Sequence, residues 1–203
     1  WTHDVSTITF ANGSAYTIYS RATDNLDLAV TTGNASPVPP PVFTYDNLAP
    51  TSAVSAPAPG VNITTVTTLS GTLTENPPTG NAGNKMVRIA IQRLLDGKYY
   101  DGLTPGGFNS FVRVFLNANL SAGTWTLAAS TFPWVAGEWF KVESQGFDTL
   151  DNSEPVASLP SSQFFFDNGL PTSRIAAPAR ALGYYTALPT LSGTGVDTGV
   201  SGL

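Results

Sequence analysis

The chain has 203 residues, a net charge of −5 at pH 7 and 11% charged residues, so it lacks the basic surface by which proteins bind nucleic acid. It contains no Cys and one His, which excludes a Cys/His zinc site, an iron–sulfur cluster and a disulfide framework. No apolar run approaches the ~20 residues of a membrane-spanning helix.

Apolar and polar residues alternate along much of the chain, a pattern that predicts β-strands with one buried face. The clearest segments are residues 15–19, 86–93, 111–116 and 139–143. The dipeptides at 96–97 and 101–102 are both Asp-Gly, which is typical of hairpin turns. Frequent Gly and Pro and the absence of an amphipathic helix favour an all-β sandwich or barrel. A barrel with one short helix at 84–95 is the alternative.

The sequence repeats itself at a spacing close to one sandwich domain. Residues 43–57 recur as 164–178, 121 positions later, with eight of fifteen residues identical. The sequence Thr-Leu-Ser-Gly-Thr at 68–72 recurs at 190–194. The repeat predicts three parts: the C-terminal part of one unit at 1–47, a complete unit at 48–168, and the N-terminal part of a following unit at 169–203. We expect the chain to be a piece of a longer tandem array.

The repeated motifs resemble those of bacterial immunoglobulin-like tandem repeats of surface and extracellular proteins. Residues 13–25 are similar to the family's G-x-x-Y-x-x-x-x-R-A-x-D strand, and the Phe-x-x-Asp of 43–46 is similar to its inter-domain junction. The family often continues with Gly-Asn after the Asp, whereas this chain reads Asp24-Asn25-Leu26-Asp27. The resemblance implies immunoglobulin-like β-sandwich repeats in tandem, an extracellular or cell-surface location, and no catalytic residues.

Acidic residues gather near the ends of the predicted units. They are Asp24, Asp27 and Asp46 in one unit and Asp148, Asp151 and Asp167 in the next. Carboxylate oxygens are the hard ligands that calcium requires, usually six to eight of them. The pattern therefore predicts calcium at the domain junctions. The other interpretation is that these Asp residues, with the neighbouring Asn residues, cap turns through their own backbone.

Aromatic residues suggest two further interpretations. Tyr99 and Tyr100 lie between the two Asp-Gly turns, where they form either a shallow glycan platform or an aromatic pair across strands. Trp125, Trp134 and Trp139 either fill the core or form an exposed shelf for polysaccharide.

We expect a structural or interaction protein that forms an extracellular stalk, fibre or filament, and not an enzyme. Its expected partners are neighbouring repeats or copies of itself, with surface glycans as a further possibility, and no nucleic acid. Two alternatives are a carbohydrate-binding or adhesive module and an accessory domain of a larger secreted enzyme. The single His, His3, is replaced by Leu127 in the next unit, which argues against a catalytic triad.

Overall fold

The computed structural model describes residues 2–20, 39–103, 106–178, 185–187 and 190–197, and these ranges form β-strands and a single 3-10 turn at Val156–Ser158. The all-β prediction is confirmed, and no helix in the described ranges has the length and hydropathy needed to cross a bilayer. The strands are β1 (Ala15–Thr17), β2 (Val42–Thr44), β3 (Thr51–Ala56), β4 (Asn62–Ile63), β5 (Thr68–Thr74), β6 (Asn84–Arg93), β7 (Tyr99–Tyr100), β8 (Phe108–Ser110), β9 (Leu116–Asn117), β10 (Asn119–Ser121), β11 (Thr124–Ala128), β12 (Glu138–Asp148), β13 (Ser161–Phe166), β14 (Thr172–Ala177) and β15 (Ser192–Val196).

Two larger sheets lie on opposite sides of one core. One sheet has the strand order β10-β11-β5-β3, and the other has the order β4-β13-β12-β6-β7-β8, with β9 also paired to β6. These pairings are antiparallel except for the parallel pair of β13 and β4. The two sheets place most of the complete predicted unit, 48–168, around a shared interior.

The core is built from the inward faces of both sheets. Leu69 of β5 and Trp125 of β11 are fully buried on one side, and Ile89, Phe140 and Phe164 are fully buried on the other. Aromatic rings meet edge to face in this interior, an arrangement that their quadrupoles favour. The core-filling interpretation therefore holds for Trp125, whereas Trp139 is 40% exposed.

Most strand predictions agree with the structure. Residues 86–93 lie in β6, which rules out the alternative helix there, and residues 139–143 lie in β12. The chain turns after β6 as the Asp-Gly dipeptide predicts: Arg93 N–H donates to Lys98 O at 2.8 Å, and Gly97 has φ +71°. The segment 15–19 is a strand only as far as Thr17.

The strand predicted at 111–116 is wrong for most of its length. Phe111 and Val112 are 76% and 74% exposed, and strand structure resumes only at Leu116. The Ser110 hydroxyl donates to Val112 O at 2.6 Å and accepts from Val112 N–H at 3.1 Å, so a local side-chain turn replaces ladder pairing. Periodicity alone could not reveal this competition.

The sequence repeat is accompanied by a repeat of strand pairing near the N-terminus. In the β1–β2 pair, Tyr16 lies opposite Phe43. In the β12–β13 pair, Phe140 lies opposite Phe164, which are the positions 124 and 121 residues later. The flanking pairs also correspond, so the short N-terminal sheet has the register of the central one.

The C-terminal pair repeats the first pair of the central unit in the same way. Val54 lies opposite Gly71 in the β3–β5 pair, and Ile175 lies opposite Gly193 in the β14–β15 pair. Each pair has a bulge at the next step of the ladder. A slip of one residue would change which residues lie opposite one another in a strand pair. The two strand pairs therefore agree in their pairing as well as in their sequence.

Candidate metal centre

Three carboxylates converge where the segment after β2 meets the central unit. Asp46 follows β2, Glu75 follows β5, and Asp148 ends β12. One oxygen from each lies within 4.8 Å of the others. The structure thus brings together two of the six predicted calcium ligands and adds Glu75, which the sequence reasoning missed.

Asp148 is held rigidly by the loop that follows β12. Its side chain is fully buried. Oδ1 accepts hydrogen bonds from Leu150 N–H at 2.9 Å and Asn152 N–H at 2.8 Å, and Oδ2 accepts one from the Asn152 side-chain amide at 2.7 Å. The turn-capping interpretation is therefore correct for this residue, and the same bonds fix the direction of its carboxylate.

Asp46 links the N-terminal segment to the loop before β6. It is 8% exposed, its Oδ2 accepts a hydrogen bond from Ala82 N–H at 2.7 Å, and its Oδ1 accepts one from Leu48 N–H at 3.2 Å. The Asn152 side-chain amide lies 3.4 Å from the Asp46 carbonyl oxygen. Asp46 thus belongs to one predicted unit, and most of its polar partners belong to the next.

Glu75 differs from the other two acids because it lacks a well-formed hydrogen bond. Both of its carboxylate oxygens are shielded from solvent, and among the described residues only the adjacent Asn76 N–H stabilises the carboxylate, weakly. Burial, followed by the negative charges of Asp148 and Asp46, raises the pKa of Glu75 above its usual value. The Oδ1 of Asn84, which lies opposite Asp148 in the β6–β12 pair, is a further buried acceptor without a donor.

This arrangement offers hard oxygen ligands from three separate parts of the chain. Carboxylate and amide oxygens suit calcium, which takes six to eight oxygen ligands at 2.3–2.6 Å. Three carboxylates in a buried site repel one another unless a cation or a proton is present. The site can therefore hold either a divalent cation or a proton on Glu75.

The other predicted calcium ligands lie elsewhere. Asp151 is 70% exposed in its side chain and pairs with Lys85 at 2.5 Å. Asp167 is buried, and its Oδ1 accepts from Gly169 N–H at 2.9 Å, as Asp46 accepts from the residue two positions on. Asp24 and Asp27 fall outside the described residues. Calcium at the junctions stays a prediction.

One sequence signal points to Glu75. The residue 122 positions later, the spacing of the Thr-Leu-Ser-Gly-Thr repeat, is Asp197, so both predicted units carry an acid shortly after that motif. A comparison of the two copies for retained charge, rather than for identity, would have included Glu75.

The predicted glycan platform is largely buried. Tyr99 and Tyr100 are 9% and 8% exposed. Tyr100 stacks on Phe132 with ring centroids 4.6 Å apart, and its hydroxyl donates to Leu103 O at 3.2 Å. Little of either ring is open to a sugar, and the two rings offer less exposed surface than the glycan prediction requires. Glycan contact by this pair stays a prediction.

One indole ring is partly open to solvent at a different place. Trp139 is 40% exposed and borders a shallow groove of about 380 Å³. Leu95, Glu138 and Gln163 also line this groove. The groove combines an aromatic face with polar groups, which is the chemistry that a saccharide requires.

No protein-family model matches the chain, and no curated protein sequence matches it significantly.

Proposed function

We propose that the chain is a structural protein whose immunoglobulin-like units stack end to end as an extracellular stalk or filament. The observation that carries this proposal is the repeated register at both ends of the complete unit. The β1–β2 pair has the register of β12–β13, and the β14–β15 pair has the register of β3–β5. A chain that repeats a whole sandwich in this order places its domains in a row.

The junction before the complete unit supports a stiff row. Gly13 and Gly80 approach so closely that a Cβ on Gly80 would collide with the Gly13 carbonyl group. A Cβ on Gly13 would lie 2.7 Å from Pro77 Cγ. A backbone contact of this kind limits bending between neighbouring units.

Small-angle X-ray scattering of a chain with several consecutive units tests the proposal. We expect a rod whose maximum dimension grows in proportion to the number of units. Replacing Gly80 with valine should shorten that maximum dimension. The new side chain pushes the Gly13 backbone away, so the close contact that limits bending between the units is lost. Gly83→Val is the matched control: Gly83 also has a positive φ, +90°, but a Cβ there meets nothing within 4 Å. Scattering typical of freely jointed beads in the unaltered chain would contradict the proposal.

A carbohydrate-binding module is the second candidate, and the exposed face of Trp139 favours it. Saccharides stack on such faces and hydrogen-bond to neighbouring carboxylate and amide groups. A titration with polysaccharides followed by Trp fluorescence tests this candidate, with Trp139→Ala as the comparison. A saturable change that this substitution removes would support it, and an unchanged signal in the parent chain would eliminate it.

A further inference from the structure

We infer that Asp46, Glu75 and Asp148 bind a calcium ion that fastens the N-terminal segment to the complete unit. The inference rests on the proposed function in one respect, because the joint it fastens is the joint between successive units.

The site has three acids and no cationic partner among the described residues. The salt bridges of the described ranges involve Lys85, Arg93, Lys98, Arg113 and Lys141, and each of these side chains pairs with other acids. Backbone and side-chain amides hold Asp46 and Asp148 in place. Glu75 has only a weak interaction with the adjacent Asn76 N–H, although both of its oxygens are shielded from solvent beside those two carboxylates. A buried acceptor without a donor is rare in native proteins and points to a missing partner.

The donor set suits calcium. Calcium takes six to eight oxygen ligands, including several carboxylates, whereas magnesium is usually held by one or two carboxylates and keeps several waters. Three carboxylates each place an oxygen within 4.8 Å of the others here, and they come from three separate parts of the chain. The unpaired Oδ1 of Asn84, on the strand beside Asp148, is a further hard acceptor close to the site.

The site joins parts of the chain that are distant in sequence. Asp46 comes from the segment before the complete unit, and Glu75 and Asp148 come from the unit itself. Asp167 and Asp197 stand 121 and 122 positions after Asp46 and Glu75, so the next junction carries the same two acids in sequence. A calcium ion at each joint would restrain every unit relative to the one before it.

Calorimetric titration and thermal unfolding of the 203-residue chain at pH 7 test the inference. We expect saturable calcium binding and a rise in Tm of about 5–10 °C when free calcium is ~100-fold above its Kd, relative to EDTA. Glu75→Gln should abolish the rise. In EDTA the same substitution should increase Tm, because it removes an unneutralised charge. A lost response to calcium together with a higher Tm in EDTA distinguishes a calcium ligand from a residue that only supports the fold, whose replacement would lower Tm in both conditions.

Asp151→Asn is the matched control. It removes the same charge a few residues from Asp148, but Asp151 is exposed and lies outside the cluster. Its φ of +68° is one that Asn tolerates. This variant should respond to calcium as the parent chain does. If Glu75→Gln does not fold, Asp46→Asn should show the same loss of calcium response.

Several results would overturn the inference. They are the absence of calcium binding by the parent chain, an unchanged response in Glu75→Gln, and an equal response to magnesium. The proposed function fails separately: calcium binding together with bead-like scattering would retain the site and reject the stiff stalk. A stiff rod that binds no calcium would do the reverse.

Discussion

Replacing Trp125 with alanine should lower the free energy of unfolding by about 4 kcal/mol, a large part of the 5–15 kcal/mol typical of a domain. The indole is fully buried between the sheets, and its N–H donates to Ala53 O at 3.1 Å. It lies over Gly71, its partner in the β11–β5 pair, so closely that a Cβ there would be 2.5 Å from two ring atoms. Truncation therefore leaves a large cavity and an unpaired carbonyl group.

Urea unfolding followed by circular dichroism measures this effect. Trp139→Ala is the control, because this indole has the same size but is 40% exposed. It should cost about 2 kcal/mol, since a large part of this indole is already in contact with solvent. Equal losses for the two variants would mean that burial of the Trp125 indole over Gly71 does not contribute the stability expected of it.

The fold was predictable wherever one face of a strand is buried. Met86–Arg93 alternates because Val87, Ile89 and Ile91 point into the core, and the hydrophobic pattern records this directly. The exposed Phe111 shows where alternation of apolar and polar residues fails to predict a strand. Its segment alternates equally well, but hydrogen bonds of the Ser110 side chain outcompete pairing.

The candidate metal centre was only partly predictable. Asp46 and Asp148 stood out because they recur near unit ends. Glu75 did not stand out because only the charge recurs at this position, as Asp197 in the next copy, and its role depends on a contact between distant segments. The presence of an acidic residue in the sequence also does not distinguish a metal ligand from a residue that caps a turn. Asp148 has the hydrogen bonds of a turn cap and also lies in the carboxylate cluster.

A buried carboxylate elsewhere in the unit gives the second large expected effect. Glu154→Ala should lower the free energy of unfolding by about 3–5 kcal/mol. Glu154 is 8% exposed and accepts three hydrogen bonds: from Ser52 N–H at 2.9 Å, from the Ser52 hydroxyl at 2.5 Å and from Gly146 N–H at 2.7 Å. Ser52 lies in β3 and Gly146 in β12, so this carboxylate bridges the two sheets. Alanine would leave the buried N–H groups of Ser52 and Gly146 without this acceptor.

Two further variants separate this bridge from simple loss of packing. Glu154→Gln retains the size of the side chain and one acceptor oxygen but turns an amide donor towards one of the N–H groups. We therefore expect about half the loss seen with alanine. Ser144→Ala removes only the 2.7 Å contact with the Ser52 hydroxyl and should cost about 1 kcal/mol. Urea unfolding at pH 7 gives all three values. If glutamine were as stable as the parent chain, shape rather than acceptor chemistry would explain the position, and the carboxylate would not be what joins β3 to β12.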